Sequence, residues 1–200
     1  MCLSLGWTFA QMPRDMGSLG LAVGVCVLRA LRQHLPEPVQ ARTPLQLKWP
    51  NDLLCDGAKL GGILIDMRAE AGGPSYVVIG IGLNVALGEE ARSQISATGT
   101  EACDLRRLEV SPLRRNEVVA SLIECLLRGL TVFEREGLKP FREEWQRADG
   151  LRGKGVNVTT VQDVTRGLAR GIDMDGALLV ETPNGVVRFV SGEVTVRAEG

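Results

Sequence analysis

The sequence predicts an α+β fold with two domains, a core over residues 1–150 and a small β-barrel of SH3-like size over residues 151–200. Three regions that differ in composition and residue pattern support this division. Residues 1–88 are apolar, rich in glycine and strand-like around one buried helix, whereas residues 89–150 are charged and mostly helical. The remaining residues form short β-runs separated by glycines. The length of 200 residues is enough to bury a sizeable core.

Composition excludes several classes of protein. The 23 Lys+Arg against 24 Asp+Glu give a net charge of -1, which argues against a protein whose main role is to coat nucleic acid. His34 is the single histidine and cannot build a multi-histidine metal site. The five cysteines are scattered without a C-x-x-C pair, as is typical of reduced thiols. Leu19 to Leu28 is too short an apolar run to span a membrane, so we expect a cytoplasmic protein.

The helices and strands of the core are predicted from the spacing of apolar residues and from the prolines and glycines that end or turn each element. Ser18 is a plausible N-cap for an apolar helix from Leu19 to about His34, and a proline-rich connection over Pro36 to Pro44 follows it. Gly72-Gly73-Pro74 is expected to turn the chain between two strands. The predicted strands are Cys2 to Phe9, Leu45 to Trp49, Leu60 to Met67 and Tyr76 to Leu83.

The charged region is expected to be helical after an irregular start. Residues 89–110 show no firm period and are interpreted as a surface loop. A long helix, capped by Ser111 or Asn116, is predicted to run through Glu136, with Gly137 as its C′ residue. A second helix, about Pro140 to Arg147, follows.

The C-terminal residues carry two strong hairpin signals, Asp175-Gly176 and Asn184-Gly185. Tight turns between five short strands favour a small barrel. The predicted strands are Val156 to Val161, Thr165 to Ile172, Ala177 to Glu181, Val186 to Val190 and Val194 to Arg197.

The most informative stretch is Lys48-Trp49-Pro50-Asn51-Asp52, with Lys59 and Gly61-Gly62 shortly after it. Polar residues and a proline directly after a strand form a rigid loop, where functional groups commonly lie. Asn51 and Asp52 have the chemistry to hold a hydrated Mg²⁺, and a lysine can meet a phosphate. The alternative is a hairpin with solvated lysines, and spacing alone does not separate the two interpretations.

A second glycine cluster, Gly80-Ile81-Gly82-Leu83-Asn84, falls inside a predicted strand. Glycines there often mark close approach of a ligand or of another backbone. The cluster is not a dinucleotide fingerprint, since it has neither a third glycine in register nor a helix opening behind it. A tightly packed strand crossing is the alternative.

Taken together, these motifs closely resemble the biotin protein ligase family. The resemblance continues through Phe133 to Leu138, Trp145, Arg170 to Val180 and Ser191 to Arg197, so it covers essentially the whole chain. It implies a mixed sheet with helices, like the core of class II aminoacyl-tRNA synthetases, followed by an SH3-like domain. The matching motifs are Lys48-Trp-Pro-Asn-Asp, Lys59-Leu-Gly-Gly-Ile-Leu and Val78-Ile-Gly-Ile-Gly-Leu-Asn-Val.

The resemblance also implies a reaction and its partners. Biotin and ATP would give biotinyl-5′-AMP and pyrophosphate. The biotinyl group would then pass to a lysine on the biotin carboxyl carrier domain of acetyl-CoA carboxylase or a related carboxylase. The reaction needs no protein nucleophile, so a single histidine is no obstacle. Neither a DNA-binding domain nor a membrane is implied, and a homodimer is possible.

Roles for individual residues are implied by the same resemblance. Lys59 would bind the biotin carboxylate and the adenylate phosphate, and Asp52 would hold Mg²⁺. The residues that would line the biotin and adenylate cleft are Gly61, Gly62, Ile63, Gly80 and Gly82. Those that would contact ATP are Lys48, Asn51, Asp52, Asn84, Glu193 and Arg197.

In the family, a Gly/Arg-rich loop lies upstream of the strand that Cys2 to Phe9 resembles, and this sequence contains none. We therefore expect the N-terminal part of the catalytic domain to be missing, which would leave an exposed sheet edge and favour self-association. A start placed too far downstream, a fragment, and a natural short paralogue are three explanations. The last would be a non-catalytic module that docks a carrier domain or a second copy. A lipoate ligase or octanoyltransferase is a further alternative.

Overall fold

The computed structural model describes residues 1–69, 74–96, 101–108, 115–160, 163–192 and 195–198. Its helices are α1 (Leu19–Arg32), α2 (Glu37–Arg42), α3 (Glu89–Ser96), α4 (Arg115–Glu136) and α5 (Lys139–Ala148). Its strands are β1 (Cys2–Phe9), β2 (Leu45–Lys48), β3 (Asp52–Cys55), β4 (Ala58–Ala69), β5 (Ser75–Leu83), β6 (Gly155–Thr159), β7 (Val164–Ile172), β8 (Leu178–Thr182), β9 (Gly185–Phe189) and β10 (Thr195–Ala198). None of the helices in these ranges is long and apolar enough to cross a membrane.

The first sheet has the order β1-β5-β4-β3-β2, and its neighbouring strands are all antiparallel. Parallel pairing within the described ranges is limited to two isolated bridges, Leu47 with Asp149 and Lys59 with Ala102. Period-2 alternation along β5 buries Val77, Ile79 and Ile81 on one face. Helix α1 packs against this face and against α4, which explains why it is apolar nearly all round.

Several predicted elements are confirmed. β1 has the predicted bounds, α4 ends at Glu136, and α5 buries Phe141 and Trp145. Gly137 has φ 63° and donates its N–H to the carbonyl of Phe133 at 2.8 Å, as a C′ glycine does. Residues 72 and 73 of the predicted turn, and Ser111, lie outside the described residues.

Other predictions were wrong. The predicted loop over residues 89–110 contains α3 and a 3₁₀ turn at Leu105–Leu108, and it buries Cys103, Asp104, Leu105 and Leu108. These residues pack through irregular backbone, so they produce no helical or strand period. The connection over residues 36–44 contains α2. Ser18 does precede α1, but its hydroxyl donates to the carbonyl of Asp15 at 2.7 Å and makes no cap bond to the helix.

The C-terminal residues form a second antiparallel sheet in the order β10-β6-β7-β8-β9. Among the described residues no pairing between β9 and β10 closes it into the predicted barrel, and residues 193–194 between those strands lie outside the description. The buried indole of Trp49 donates to the carbonyl of Gly176 at 3.0 Å. One hydrophobic cluster continues from the core into Val156 and Val180, so the two sheets share packing. The division at residue 150 stays a prediction.

Candidate functional site

A shallow cleft lies on the face of the first sheet that α1 does not cover. Its floor consists of two cross-strand rows that run over β1, β5 and β4. One row is Cys2, Gly82 and Gly62; the other is Ser4, Gly80 and Leu64. Small residues dominate both rows, so the backbone itself forms most of the floor.

The four glycines of the two sequence clusters have different reasons to be glycine. A Cβ on Gly61 would lie 2.2 Å from the carbonyl oxygen of Gly82, so β5 requires glycine there. A Cβ on Gly62, Gly80 or Gly82 would meet nothing closer than 3.7, 3.5 and 3.9 Å. Packing does not require these three glycines, and their bare backbone leaves the cleft floor open.

The charged centre of the cleft is the carboxylate of Asp52. One oxygen lies 2.5 Å from Nζ of Lys59 and the other lies 3.1 Å from Nζ of Lys48. The side chain of Asp52 is 16% exposed and that of Lys59 is 40% exposed, so solvent and ligands can reach this cluster. Two ammonium groups around one carboxylate leave a net positive charge, which suits a phosphate or carboxylate ligand.

A β-bulge produces this arrangement. The register of the β3–β4 hairpin shifts between Leu53 and Leu54, so that Asp52 pairs with Gly62 whereas Leu54 pairs with Lys59. Asp56 and Gly57 close the hairpin with φ of 51° and 77°, the two positive values of a type I′ turn.

The loop before β3 is held rigidly. Asn51 accepts the N–H of Ile63 on its carbonyl at 2.9 Å, and its side-chain amide donates to the carbonyl of Ile63 at 2.9 Å. The Trp49–Pro50 peptide bond is cis, and Trp49 is 1% exposed. The side-chain amide of Asn51 uses one of its two N–H donors in this bond, so its second N–H and its side-chain oxygen remain for a ligand.

Asn84 ties the end of β5 to the residues beside Lys59. Its side-chain amide donates to the carbonyls of Lys59 and Cys103, at 3.2 and 3.1 Å. The backbone of Lys59 is itself bonded on both sides: its N–H donates to Glu101 at 2.7 Å and its carbonyl accepts from Cys103 at 3.0 Å. The lysine therefore projects from a fixed backbone.

Two adjoining cavities occupy the cleft, and they share Cys2, Lys59, Gly62 and Gly82. One, of about 480 Å³, extends past Asn84 to Ile95 and Ala102. The other, of about 430 Å³, extends over the second row of the floor to Asn51 and Asp52. The cleft therefore has two halves that meet at Lys59.

Not every predicted site residue points into the cleft. Ile63 is 4% exposed, and its Cδ1 would lie 3.7 Å from a Cβ on Gly24 of α1, so its side chain belongs to the core. Arg197 is exposed on β10 opposite Asn157, and no described cavity of the cleft includes it. Glu193 lies outside the described residues.

Sequence reasoning missed several residues that line the cleft. Alternation along β1 places Cys2 and Ser4 on one face of the sheet, a signal that was present in the sequence. Ile95 and Ala102 come from the region expected to be a loop, and no local pattern marks them.

Cys55, close to Asp52 in the sequence, does not reach the cleft. It is fully buried and hydrogen-bonded to the thiol of Cys103, which lowers the pKa of Cys55 below its usual value. The Sγ of Cys103 also lies 3.3 Å from the carbonyl oxygen of Ala58. In the ranges that the structure describes, no three or more Asp, Glu, His or Cys side chains gather as a metal site.

A third cavity, of about 430 Å³, lies beside residues 63–67 of β4, beyond the last pairing with β3. Its lining is mainly apolar and includes Met12, Met16 and Met67, with Ser191 and Gly192 from the segment that follows β9. None of its described lining residues is a lysine, whereas the cleft contains Lys48 and Lys59 around Asp52.

Comparison with known proteins identifies the class. The sequence model described as the Biotin/lipoate A/B protein ligase family matches residues 13–147. The model described as the Biotin protein ligase C terminal domain matches residues 152–197. With an α+β core and a β-rich C-terminal region in these places, the chain belongs to the biotin/lipoate A/B protein ligase family.

Individual relatives agree. The chain is 34% identical over 196 residues to the Biotin--[acetyl-CoA-carboxylase] ligase of Mycobacterium tuberculosis, covering 96% of this chain and 67% of that protein. It is 32% identical to the Bifunctional ligase/repressor BirA of Escherichia coli, covering 98% of this chain but only 58% of BirA. The biotin protein ligase of Aquifex aeolicus solved with biotin and ATP superimposes with a TM-score of 0.76 at 22% identity, over 99% of this chain and 79% of that one.

Proposed function

We propose that this chain functions as an ATP-dependent biotin protein ligase, which forms biotinyl-5′-AMP and passes the biotinyl group to a lysine of a carrier domain. The observation that carries the proposal is the pair of lysines around Asp52, set at the junction of two cavities above a glycine floor. Forming an acyl-adenylate brings a carboxylate and a polyphosphate together, so it needs cationic groups where the two anions meet.

The two halves of the cleft suit the two substrates. The half with Leu64 and Gly80 has an apolar, side-chain-poor floor that favours biotin and its aliphatic chain. The half with Asn84, Ile95 and Ala102 offers an amide oxygen and an apolar wall, which favours the nucleotide. In this arrangement the biotin carboxylate and the α-phosphate meet at Lys59.

The chain's own groups contribute positioning and charge. Lys59 orients the attacking carboxylate and balances the charge on the α-phosphorus while the new carboxyl–phosphate bond forms. Lys48 balances the departing pyrophosphate as its bond to the α-phosphorus breaks. No side chain has to be acylated, because the carboxylate itself is the nucleophile.

Asp52 fits Mg²⁺ only in a limited way. It is a single carboxylate, and Mg²⁺ is commonly held by one or two carboxylates together with substrate phosphates. Each of its two oxygens pairs with a lysine. When bound with ATP, Mg²⁺ would supply charge neutralisation of the phosphates, and Asp52 would be its protein ligand.

We further propose that the acceptor is a lysine on a carboxyl carrier domain and that the protein acts in the cytoplasm. Glu193 and Arg197 are proposed to help close over ATP, and both belong to the C-terminal domain that we place over residues 151–200. Support for these roles is the family resemblance of the segment from Ser191 to Arg197.

Biotin-dependent exchange of pyrophosphate into ATP tests the proposal. We expect the wild-type chain to exchange label and Lys59→Ala to lose exchange, because the variant lacks the charge between the two substrates. The side chain of Lys59 is 40% exposed, so the melting temperature should stay within about 2 °C. Exchange by the variant at the wild-type rate would refute the role of Lys59. Exchange that depends on lipoate or octanoate instead of biotin would favour the alternative of a lipoate ligase or octanoyltransferase.

A second candidate function is a docking module for a carrier domain or a second copy of the chain. It is favoured by exposed apolar side chains near residues 63–67 of β4: Leu64, on the open face of the sheet, is 73% exposed, and Met12 and Met67 are also exposed. The discriminating result is carrier binding or dimer formation by a chain that performs no exchange.

A further inference from the structure

Asp104 has no role in the function proposed above, yet its surroundings are unusual. It is 1% exposed and is the one charged side chain that is buried within the described ranges. Its carboxylate accepts the N–H of Leu87 at 2.7 Å and that of Arg106 at 3.2 Å, and it pairs with Arg92 at 2.6 Å. A buried carboxylate is retained at such a position only when it is well paired.

The three partners come from separate parts of one wall of the cleft. Leu87 lies in the turn after β5, Arg92 lies on α3, and Arg106 lies in the 3₁₀ turn. Asp104 also follows directly after Cys103, whose backbone bonds to Lys59. The N–H of Leu105 donates to the carbonyl of Asn84 at 2.9 Å. One carboxylate thus connects α3 to the backbone that holds Lys59 and Asn84.

We propose that Asp104 and Arg92 are positioning residues that hold α3 as the wall of the nucleotide half of the cleft. This inference rests on the proposed function, since it assigns ATP to the half lined by Ile95 and Ala102. Neither side chain touches the cleft; both act through Ile95, Asn84 and the backbone of Lys59.

The fold explains why α3 needs such a tie. The helix has only eight residues, carries its charged residues Glu89, Glu90 and Arg92 in its N-terminal half and buries little apolar area. Isolated helices of this length are marginal in water. The ion pair with a buried carboxylate therefore supplies the attachment that hydrophobic packing does not.

The test compares Arg92→Met, Arg92→Lys and the control Arg106→Met. The control removes an arginine from the same region, but Arg106 bonds to Asp104 through its backbone only, so that bond survives. Calorimetric titration with Mg²⁺-ATP and, separately, with biotin gives the two affinities. Hydrogen exchange of residues 84–96 reports the wall itself, independently of any ligand.

We expect Arg92→Met to weaken ATP binding by at least about tenfold and biotin binding by less than twofold, with faster exchange over residues 84–96. Arg92→Lys should restore most of the ATP affinity, and Arg106→Met should match the wild type. If Arg92 had a purely structural role, Arg92→Met would instead weaken the binding of both ATP and biotin and lower the melting temperature. Asp104→Asn, which keeps an acceptor for Leu87, should follow Arg92→Met.

Two failures are distinguishable. If the wild-type chain binds ATP and Arg92→Met binds it equally well, the positioning role is refuted while the proposed function stands. If the wild-type chain binds no ATP, the proposed function is refuted, and with it the nucleotide role of the wall. Unchanged hydrogen exchange in Arg92→Met overturns the attachment of α3 in either case.

Discussion

Asp52→Asn is predicted to tighten binding of a metal-free anion, although it removes a residue of the proposed site. The Asp52 carboxylate pairs with both lysines, at 2.5 Å from Lys59 and 3.1 Å from Lys48. An incoming phosphate or carboxylate must therefore compete with Asp52 for Lys59. An asparagine amide is neutral and competes far less.

The size of the gain follows from the exposure of the pairs. With side chains 16–40% exposed, each ion pair contributes about 0.2–1 kcal/mol, as in other solvent-screened pairs. Removing both ion pairs therefore strengthens binding of the anion by about 0.5–2 kcal/mol, because the ligand no longer competes with Asp52 for the lysines. Because 1.4 kcal/mol corresponds to about tenfold, metal-free ATP should bind about two- to thirtyfold more tightly.

Isothermal titration with ATP in EDTA measures this effect, and the same titration with Mg²⁺ measures its reversal. With Mg²⁺ present the variant should lose its advantage, because it lacks the carboxylate proposed to hold the metal. Asp66→Asn is the matched control, since Asp66 is an exposed carboxylate farther along β4. Weaker binding of metal-free ATP by Asp52→Asn would refute the competition between Asp52 and the ligand.

Three further changes separate packing from function. Gly61→Ala should destabilise the fold by about 1–3 kcal/mol in urea unfolding, because its Cβ would lie 2.2 Å from a carbonyl oxygen, whereas Gly82→Ala should fold normally and lose ligand binding. Trp49→Phe should cost about 1–3 kcal/mol by the same measurement, since the carbonyl of Gly176 loses its donor. Burial raises the pKa of Asp149, whose Oδ2 has no partner, so its folded pKa lies above the unfolded one and stability falls as pH rises through that interval. Asp149→Asn should therefore raise the melting temperature near neutral pH and flatten its pH dependence; equal melting temperatures would contradict this.

Strand and helix periods predicted most of the architecture. β1, α4 and α5 each bury one face, and burial on one face produces a period that a single sequence reveals. α1 is instead apolar nearly all round and is marked by its continuous apolar run. β3 was missed because it is only four residues long and three of them are buried, so it shows no alternation. The region around α3 was missed because its buried residues lie in irregular backbone.

The candidate site was predicted as a set of residues but not as an arrangement. Lys48, Asp52 and Lys59 could be named from their motif, yet no pattern in the sequence indicates that one carboxylate serves both lysines. Gly61 and Gly62 are adjacent and look equivalent in sequence. Only the close approach of the Gly82 carbonyl of β5 to Gly61 shows that Gly61 is needed for packing, whereas Gly62 leaves the cleft floor open.

The sequence by itself determined the family, the motifs and the order of most elements, because these depend on residue type and on local spacing. Tertiary structure alone decided which groups meet. A bulge aims Lys59 at Asp52, Asn84 bonds to the residues beside that lysine, and Asp104 ties α3 to the wall of the cleft. Each of these contacts joins residues from different strands or segments, and their geometry depends on how the whole sheet pairs and twists.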